Sequence, residues 1–272
     1  MNQRILIIIA IFMLNCSRNS NLDAPAEQSQ LILHQSKPEI EIEKDKSKGT
    51  EFKKKDALIT NYNVIKKLTA YGRINPETKI KIRTSFGSIK IKLYEDTPLH
   101  RANFIMLIKK KYFDSTLFYR VIRNFMIQGG NSDRDNVFHK MAKIGNYKIP
   151  SEIKKEHLHT RGALAMAVQE QYYLDSNKHD KNSSPYNFYI VQNPRVTDKY
   201  MDDLEKQFDI KIGKNKRRIY KKYGGNPHLD NDYTVFGKVY AGMNIVDKIC
   251  SVLTDANNRP LKNIFLTIEI IK

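Results

Sequence analysis

Apolar and basic side chains alternate between residues 79 and 93: Ile80 and Ile82, then Ile89, Ile91 and Leu93, against Lys81, Arg83, Lys90 and Lys92. A period of two places all five apolar residues on one face, and Ser85-Phe86-Gly87-Ser88 between the runs supplies a turn. The pattern predicts a β-hairpin with one buried face. Ile264, Leu266, Ile268 and Ile270 repeat the alternation and predict a closing strand. Two stretches have helical spacing instead. Thr97-Pro98 reads as a helix start, with Thr97 at the N-cap and Pro98 at the first helical position. Phe104, Leu107 and Ile108 form its stripe and Lys109 to Lys111 its end, while Met243, Val246, Ile249 and Cys250 predict a second helix. The folded domain is expected to start near Pro76. The roughly 200 residues from there suffice for one sizeable core. Pattern alone supports an antiparallel sandwich or barrel with two helices.

The N-terminal part reads differently. Arg4 precedes an unbroken apolar run from Ile5 to Leu14. That is well short of the ~20 residues needed to cross a bilayer, so it reads as a targeting segment. Met13-Leu14-Asn15-Cys16 resembles a bacterial lipobox, in which the cysteine becomes the lipidated N-terminus; Asn15 departs from the small residue usual before it. Residues 1–16 are therefore expected to be a lipoprotein signal, the alternative being a plain cleaved signal with Cys16 lost or free. Residues 17–75 are expected to be a tether. From Ser17 to about Asp56 the chain is too polar to offset its ordering entropy, and such a segment spans roughly 35 Å. Leu58, Tyr62, Ile65 and Leu68 predict one short helix leading into the domain. With Cys16 acylated, Cys250 has no partner and reads as a small buried hydrophobe.

Charge narrows the partners. The formal net charge is +18, but lysines at alternating or solvated positions dominate it, and no concentrated stripe argues for nucleic acid. Anionic headgroups or acidic proteins fit better. Between Asn193 and His228, Tyr200 to Phe208 predicts a helix with Met201, Leu204 and Phe208 as its stripe. Lys211 to Lys222 follows with seven basic residues and no acid. A solvated helical flap explains that run more simply than a rim recruiting acidic proteins or membrane.

Chemistry enters at Phe118-Tyr119-Arg120-Val121-Ile122-Arg123-Asn124-Phe125-Met126-Ile127-Gln128-Gly129-Gly130, where one guanidinium and one amide stand among large apolar groups. A charge in apolar surroundings costs stability and so marks a site more often than filler. The run resembles the signature of cyclophilins, the peptidyl-prolyl cis-trans isomerases, with Tyr119 in place of their histidine. Gly162 to Ala167, Tyr186 to Ile190 and Leu229 to Val239 are similar to three further cyclophilin blocks in the same order. The resemblance covers Lys79 to the C-terminus. It implies a mainly β fold: a closed eight-stranded antiparallel barrel with two capping helices, here with a helical insertion at about 194–227. It also implies Arg120 as catalytic residue with Gln128 positioning it. Phe125, Met126, Tyr189, Leu229 and Tyr233 would wall a proline pocket, and Ala167 and Asn187 would contact the peptide main chain.

Elementary chemistry agrees with those roles. An X-Pro amide turns over a barrier of ~18–20 kcal/mol because the nitrogen lone pair is delocalised. Twisting localises the lone pair, and a permanent donor such as arginine then binds the twisted state better than the planar one. Neither metal nor cofactor is called for. Proline-containing flexible polypeptides are the expected partners, together with a membrane through the lipid on Cys16. The protein is expected to be a monomer in the bacterial envelope, facing periplasm or cell surface. Asn187 is one methylene shorter than the cyclophilin glutamine, and Val168 stands where asparagine is common. Both leave open a proline-segment-binding chaperone or adhesin with little turnover, or a structural lipoprotein with an idle pocket. His157 and His159 lack nearby ligands at metal-site spacing and read as strand or loop residues. Gly129 and Gly130 read as permitting a tight turn.

Overall fold

The computed structural model describes residues 58–132, 134–168 and 180–272. The predicted hairpin is β2 (Lys79–Thr84) and β3 (Gly87–Leu93), which follow a two-residue strand β1 (Ile59–Thr60) and helix α1 (Val64–Ile74). Ile80, Ile82, Ile89, Ile91 and Leu93 are all fully buried, as their alternation requires. Next come α2 (Pro98–Lys109), β4 (Thr116–Ile122), β5 (Met126–Asn131), α3 (Asp135–Ile144) and β6 (Gly145–Asn146). After these lie β7 (Ala163–Val168), β8 (Ser183–Val191), α4 (Asp198–Phe208), α5 (Lys214–Tyr223), β9 (Val235–Ala241), α6 (Met243–Cys250) and β10 (Phe265–Ile270). Eight strands close on themselves in the order β10-β2-β3-β9-β7-β8-β5-β4, every pair antiparallel. This is the barrel the resemblance implies, and closure removes every unpaired edge. β1 and β6 pair in parallel outside it.

The barrel interior is aromatic. Phe104 of α2 meets Phe113, Phe188 and Phe236, and Phe188 also meets Phe113 and Phe118, all edge-on or tilted with ring centroids 4.8–6.0 Å apart. Helix α2 is buried from Ala102 to Ile108, and α6 covers the barrel with Val246, Ile249 and Cys250. Cys250 is the predicted buried hydrophobe. Burial raises its thiol pKa to about 11, and its Sγ donates to the Ile122 carbonyl at 3.2 Å.

Three expectations change. Residues 58–75 are not tether: α1 forms as predicted, but Val64 and Leu68 are buried in the main core and α1 packs on α2. The fold therefore begins at least by Leu58. Thr97 holds the N-cap position of α2 without capping it; its hydroxyl donates to the Tyr94 carbonyl. Glu152 accepts instead from the Leu99 and His100 amides at 3.0 and 2.9 Å, putting a carboxylate at the helix's positive end. Gly129 and Gly130 lie within β5, not in a turn. A Cβ on Gly130, whose φ is +103°, would stand 2.1 Å from the Tyr186 carbonyl oxygen, so only glycine lets the chains approach there.

The insertion is helical, as predicted, but more than a solvated flap. Val196, Met201, Leu204, Ile212 and Tyr220 form a small core of their own. Arg217 pairs with Asp198, Asp202 and Glu205, and Lys221 with Asp198, so part of the basic run binds α5 to α4.

Candidate active site

The alternation that fills the barrel leaves a second apolar surface on its outer wall. On β5, Ile127 enters the core while Met126 faces outward. On β7, Leu164 and Met166 point in, and Ala163 and Ala165 point out. On β8, Phe188 and Ile190 point in, and Tyr189 and Val191 point out. Leu229 and Val235 complete the outer cluster, with Phe125, Tyr233, Tyr94 and Ile122 partly buried against it. Five predicted wall residues, Phe125, Met126, Tyr189, Leu229 and Tyr233, thus come together. Tyr233 meets Tyr189 edge-on at 5.9 Å.

Arg120 reaches this surface by a bulge. Phe118 pairs with Gly129 and Arg120 with Gln128, so Tyr119 is the extra residue on β4. Such a bulge re-aims the side chains beside it. Arg120 Nη1 donates to Gln128 Oε1 at 3.3 Å, and Gln128 pairs across to Tyr189 on β8. Guanidinium, amide and phenol stand in one row over three adjacent strands. Tyr119 is itself drawn in: its hydroxyl bonds to Gln128, and burial holds it neutral by driving its pKa far up, against the opposing pull of Arg120 and that bond. Phe125 follows the β4–β5 turn, in which Asn124 takes the left-handed conformation at φ 58°. Its carbonyl accepts from the Gln192 amide at 2.8 Å and from Asn226 Nδ2 at 3.0 Å.

Ala167 and Asn187 lie outside the apolar cluster. Ala167 is half-buried at a register break in β7. Asn187, on β8, donates from Nδ2 to Ser184 Oγ at 3.3 Å, and its buried Oδ1 has no partner among the described residues. Cys16 lies outside the described residues.

Several residues take roles here that the sequence reading did not give them. The His228 ring stacks on Phe125 (5.7 Å, 13°) and on Phe208 of α4 (4.8 Å, 10°). Burial pushes its pKa down to about 4, with nearby His159 adding to the effect and Asp230 opposing it. His159 sits in a loop, as expected, yet it is buried under the pocket floor. Its Nε2 lies 3.0 Å from the Tyr189 hydroxyl and its Nδ1 3.1 Å from Asp230 Oδ1. His157 instead stacks on Tyr94 at 4.0 Å and bonds to Asp96. The one local signal was Lys216 and Tyr220, four residues apart on α5 and so on one face, both reaching Asp230.

A fixed cation with planar donors therefore borders an outward-facing apolar surface that includes a neutral tyrosine. Such a place suits a small hydrophobic ring whose nitrogen acquires a lone pair.

Comparison with known proteins agrees. The family model for cyclophilin type peptidyl-prolyl cis-trans isomerase/CLD matches residues 79–270. A peptidyl-prolyl cis-trans isomerase of Acinetobacter baylyi is 31% identical over 178 residues, covering 65% of this chain and 74% of that protein. A peptidyl-prolyl cis-trans isomerase-like 3 of Dictyostelium discoideum is 31% identical over 193 residues, covering 69% and 91%. A Streptococcus pyogenes protein whose name pairs a phosphatase with such an isomerase is 30% identical, but the chain spans only 38% of its length. Among solved structures, a Cryptosporidium parvum cyclophilin superposes with TM-score 0.50 at 22% identity, covering 72% of this chain and 98% of that one.

Proposed function

Since this chain belongs to the cyclophilin-type peptidyl-prolyl cis-trans isomerases, and so rotates X-Pro bonds, we propose that it does so in the outer-wall pocket of β5, β7 and β8, with Arg120 acting on the amide nitrogen. The observation that carries this is the row Arg120–Gln128–Tyr189 beside the cluster of Phe125, Met126, Leu229 and Tyr233. The apolar walls hold the proline ring and shed water from the peptide carbonyl. Gln128 accepts one guanidinium N–H and so orients the planar group beside the nitrogen whose lone pair localises. Ala167 and Asn187 lie where the peptide main chain would run, and the unpartnered Asn187 Oδ1 could accept one of its amides. A Cryptosporidium cyclophilin solved in the presence of the dipeptide Ala-Pro supports proline-containing peptides as the ligand class. A protease-coupled assay on a Xaa-Pro peptide tests the reading: catalysed exchange is expected, and an uncatalysed rate would leave only a proline-segment binder.

The substrates we propose are exported proteins with X-Pro bonds still to settle, met by an enzyme anchored through lipid on Cys16. The Ile5–Leu14 run and the lipobox-like Met13-Leu14-Asn15-Cys16 support this. Mass spectrometry of the mature N-terminus should show an acylated Cys16 and no residues 1–15. A free thiol or a different first residue would remove the anchor. His228 stands where cyclosporin-sensitive cyclophilins carry tryptophan, and this chain contains none. Weak cyclosporin inhibition is therefore expected, and submicromolar inhibition in a titration would contradict it.

A further inference from the structure

Tyr189 poses a problem that phenylalanine at the pocket floor would not: a buried hydroxyl needs a partner. His159 Nε2 meets it at 3.0 Å. For a neutral ring to accept there, its proton must sit on Nδ1, which faces Asp230 Oδ1 at 3.1 Å. Asp230, with 4% of its side chain exposed, must then stay ionised out of water. That state is costly unless several donors meet the carboxylate. Four do: the His159 amide and ring Nδ1, both on Oδ1, the Tyr220 hydroxyl at 2.8 Å, and Lys216 Nζ at 2.9 Å on Oδ2. Burial alone would raise the Asp230 pKa; the bonds from His159 and Lys216 outweigh it and hold it below the usual carboxylate range. Two of the four donors come from one face of α5, in the insertion. Asp230 also directly follows Leu229, which walls the pocket.

We propose that Lys216 and Tyr220 of the insertion are positioning residues for proline binding, acting through Asp230 and His159 on the Tyr189 hydroxyl. The insertion then sets the stiffness of the pocket floor without touching substrate. The proposal rests on the reading that this pocket holds the proline ring. A merely structural tie between insertion and barrel would lower stability without regard to residue 189 and leave substrate affinity alone.

The experiment is a double-mutant cycle on the full chain. Tyr220→Phe and Lys216→Met are each made alone and with Tyr189→Phe, and KM and kcat are measured on a Xaa-Pro peptide. Losing one neutral hydrogen bond's worth of positioning predicts a rise in KM of roughly two- to tenfold for Tyr220→Phe, with kcat little changed, because the floor holds the ring in ground and transition states alike. Lys216→Met is expected to move KM in the same direction. In the Tyr189→Phe background neither substitution should raise KM further, since the hydroxyl they act through is gone. His159→Gln, which keeps an acceptor, should retain more affinity than His159→Leu. An NMR readout independent of turnover accompanies these: the Tyr189 ring signals of the peptide-free protein should shift in Tyr220→Phe. An inactive wild type would sink the isomerase reading alone, and peptide titration with the ring shifts would still judge the positioning. Equal losses in both backgrounds, an unchanged KM, or unmoved Tyr189 signals would overturn it.

Discussion

Arg120→Ala is expected to lower kcat/KM for a Xaa-Pro peptide by roughly ten- to a hundredfold, with little change in melting temperature. The magnitude is that of one charge-assisted hydrogen bond, ~1.5–3 kcal/mol, lost in the transition state only. It cannot be the whole of catalysis. Spontaneous X-Pro exchange takes tens to hundreds of seconds, so a turnover of ~10 s⁻¹ requires about 4 kcal/mol. The proposed pocket walls, Phe125, Met126, Tyr189, Leu229 and Tyr233, would supply the rest by holding the ring and excluding water. Stability should barely respond, because Arg120 is half-buried at the barrel's outer wall and outside its core. Arg120→Lys keeps the charge but loses the planar fork that Gln128 orients, and an intermediate rate is expected. A full rate in Arg120→Ala, in the protease-coupled assay, would move the reaction to another group.

How much of this was legible depends on the range of the interactions involved. β-alternation is a local property, so Ile80 to Leu93 and Ile264 to Ile270 announced their strands, and closure followed from the resemblance. The same alternation contains the site: Met126, Tyr189, Ala163 and Ala165 face outward because their neighbours face in. What stayed hidden is tertiary. Nothing near Leu68 says that α2 will cover it, so 58–75 read as tether. Nothing near Thr97 says that a carboxylate 55 residues on will take the cap, as Glu152 does. The polar chain under the floor joins residues 159, 189, 216, 220 and 230, of which only Lys216 and Tyr220, one helical turn apart on α5, share a local pattern. His159 looked ordinary in sequence because its two partners come from other parts of the fold. Gly130 was singled out correctly and explained wrongly: the demand is not a turn but the Tyr186 backbone of the neighbouring strand.

Stability should fall by ~3 kcal/mol as pH drops from about 6.5 to 4, and His228 should account for most of that loss. Burial lowers its folded pKa from 6.5 to about 4. Above 6.5 the ring is neutral in both folded and unfolded chains and contributes no slope. Between 6.5 and 4 the unfolded chain takes up a proton that the folded one refuses, so unfolding becomes progressively favoured. Below 4 both forms are charged and the slope ends. The refusal has a visible cause: the ring is clamped against Phe125 and Phe208, and its Nδ1 is buried without a hydrogen-bond partner among the described residues. Asp230, Asp96 and Asp180, whose pKa values are lowered, act in a different window. Their contribution is intact above the ordinary carboxylate pKa and is lost only as pH falls below it. Urea unfolding at pH 7 and pH 4.5 should therefore separate the two classes. His228→Phe, which keeps both stacking contacts, should flatten the slope between 6.5 and 4 and leave the acid limb unchanged. An undiminished slope in that variant would place the titrating group elsewhere. The same stack links Phe208 of the insertion to Phe125 of the pocket, so acid should loosen the site before it unfolds the barrel.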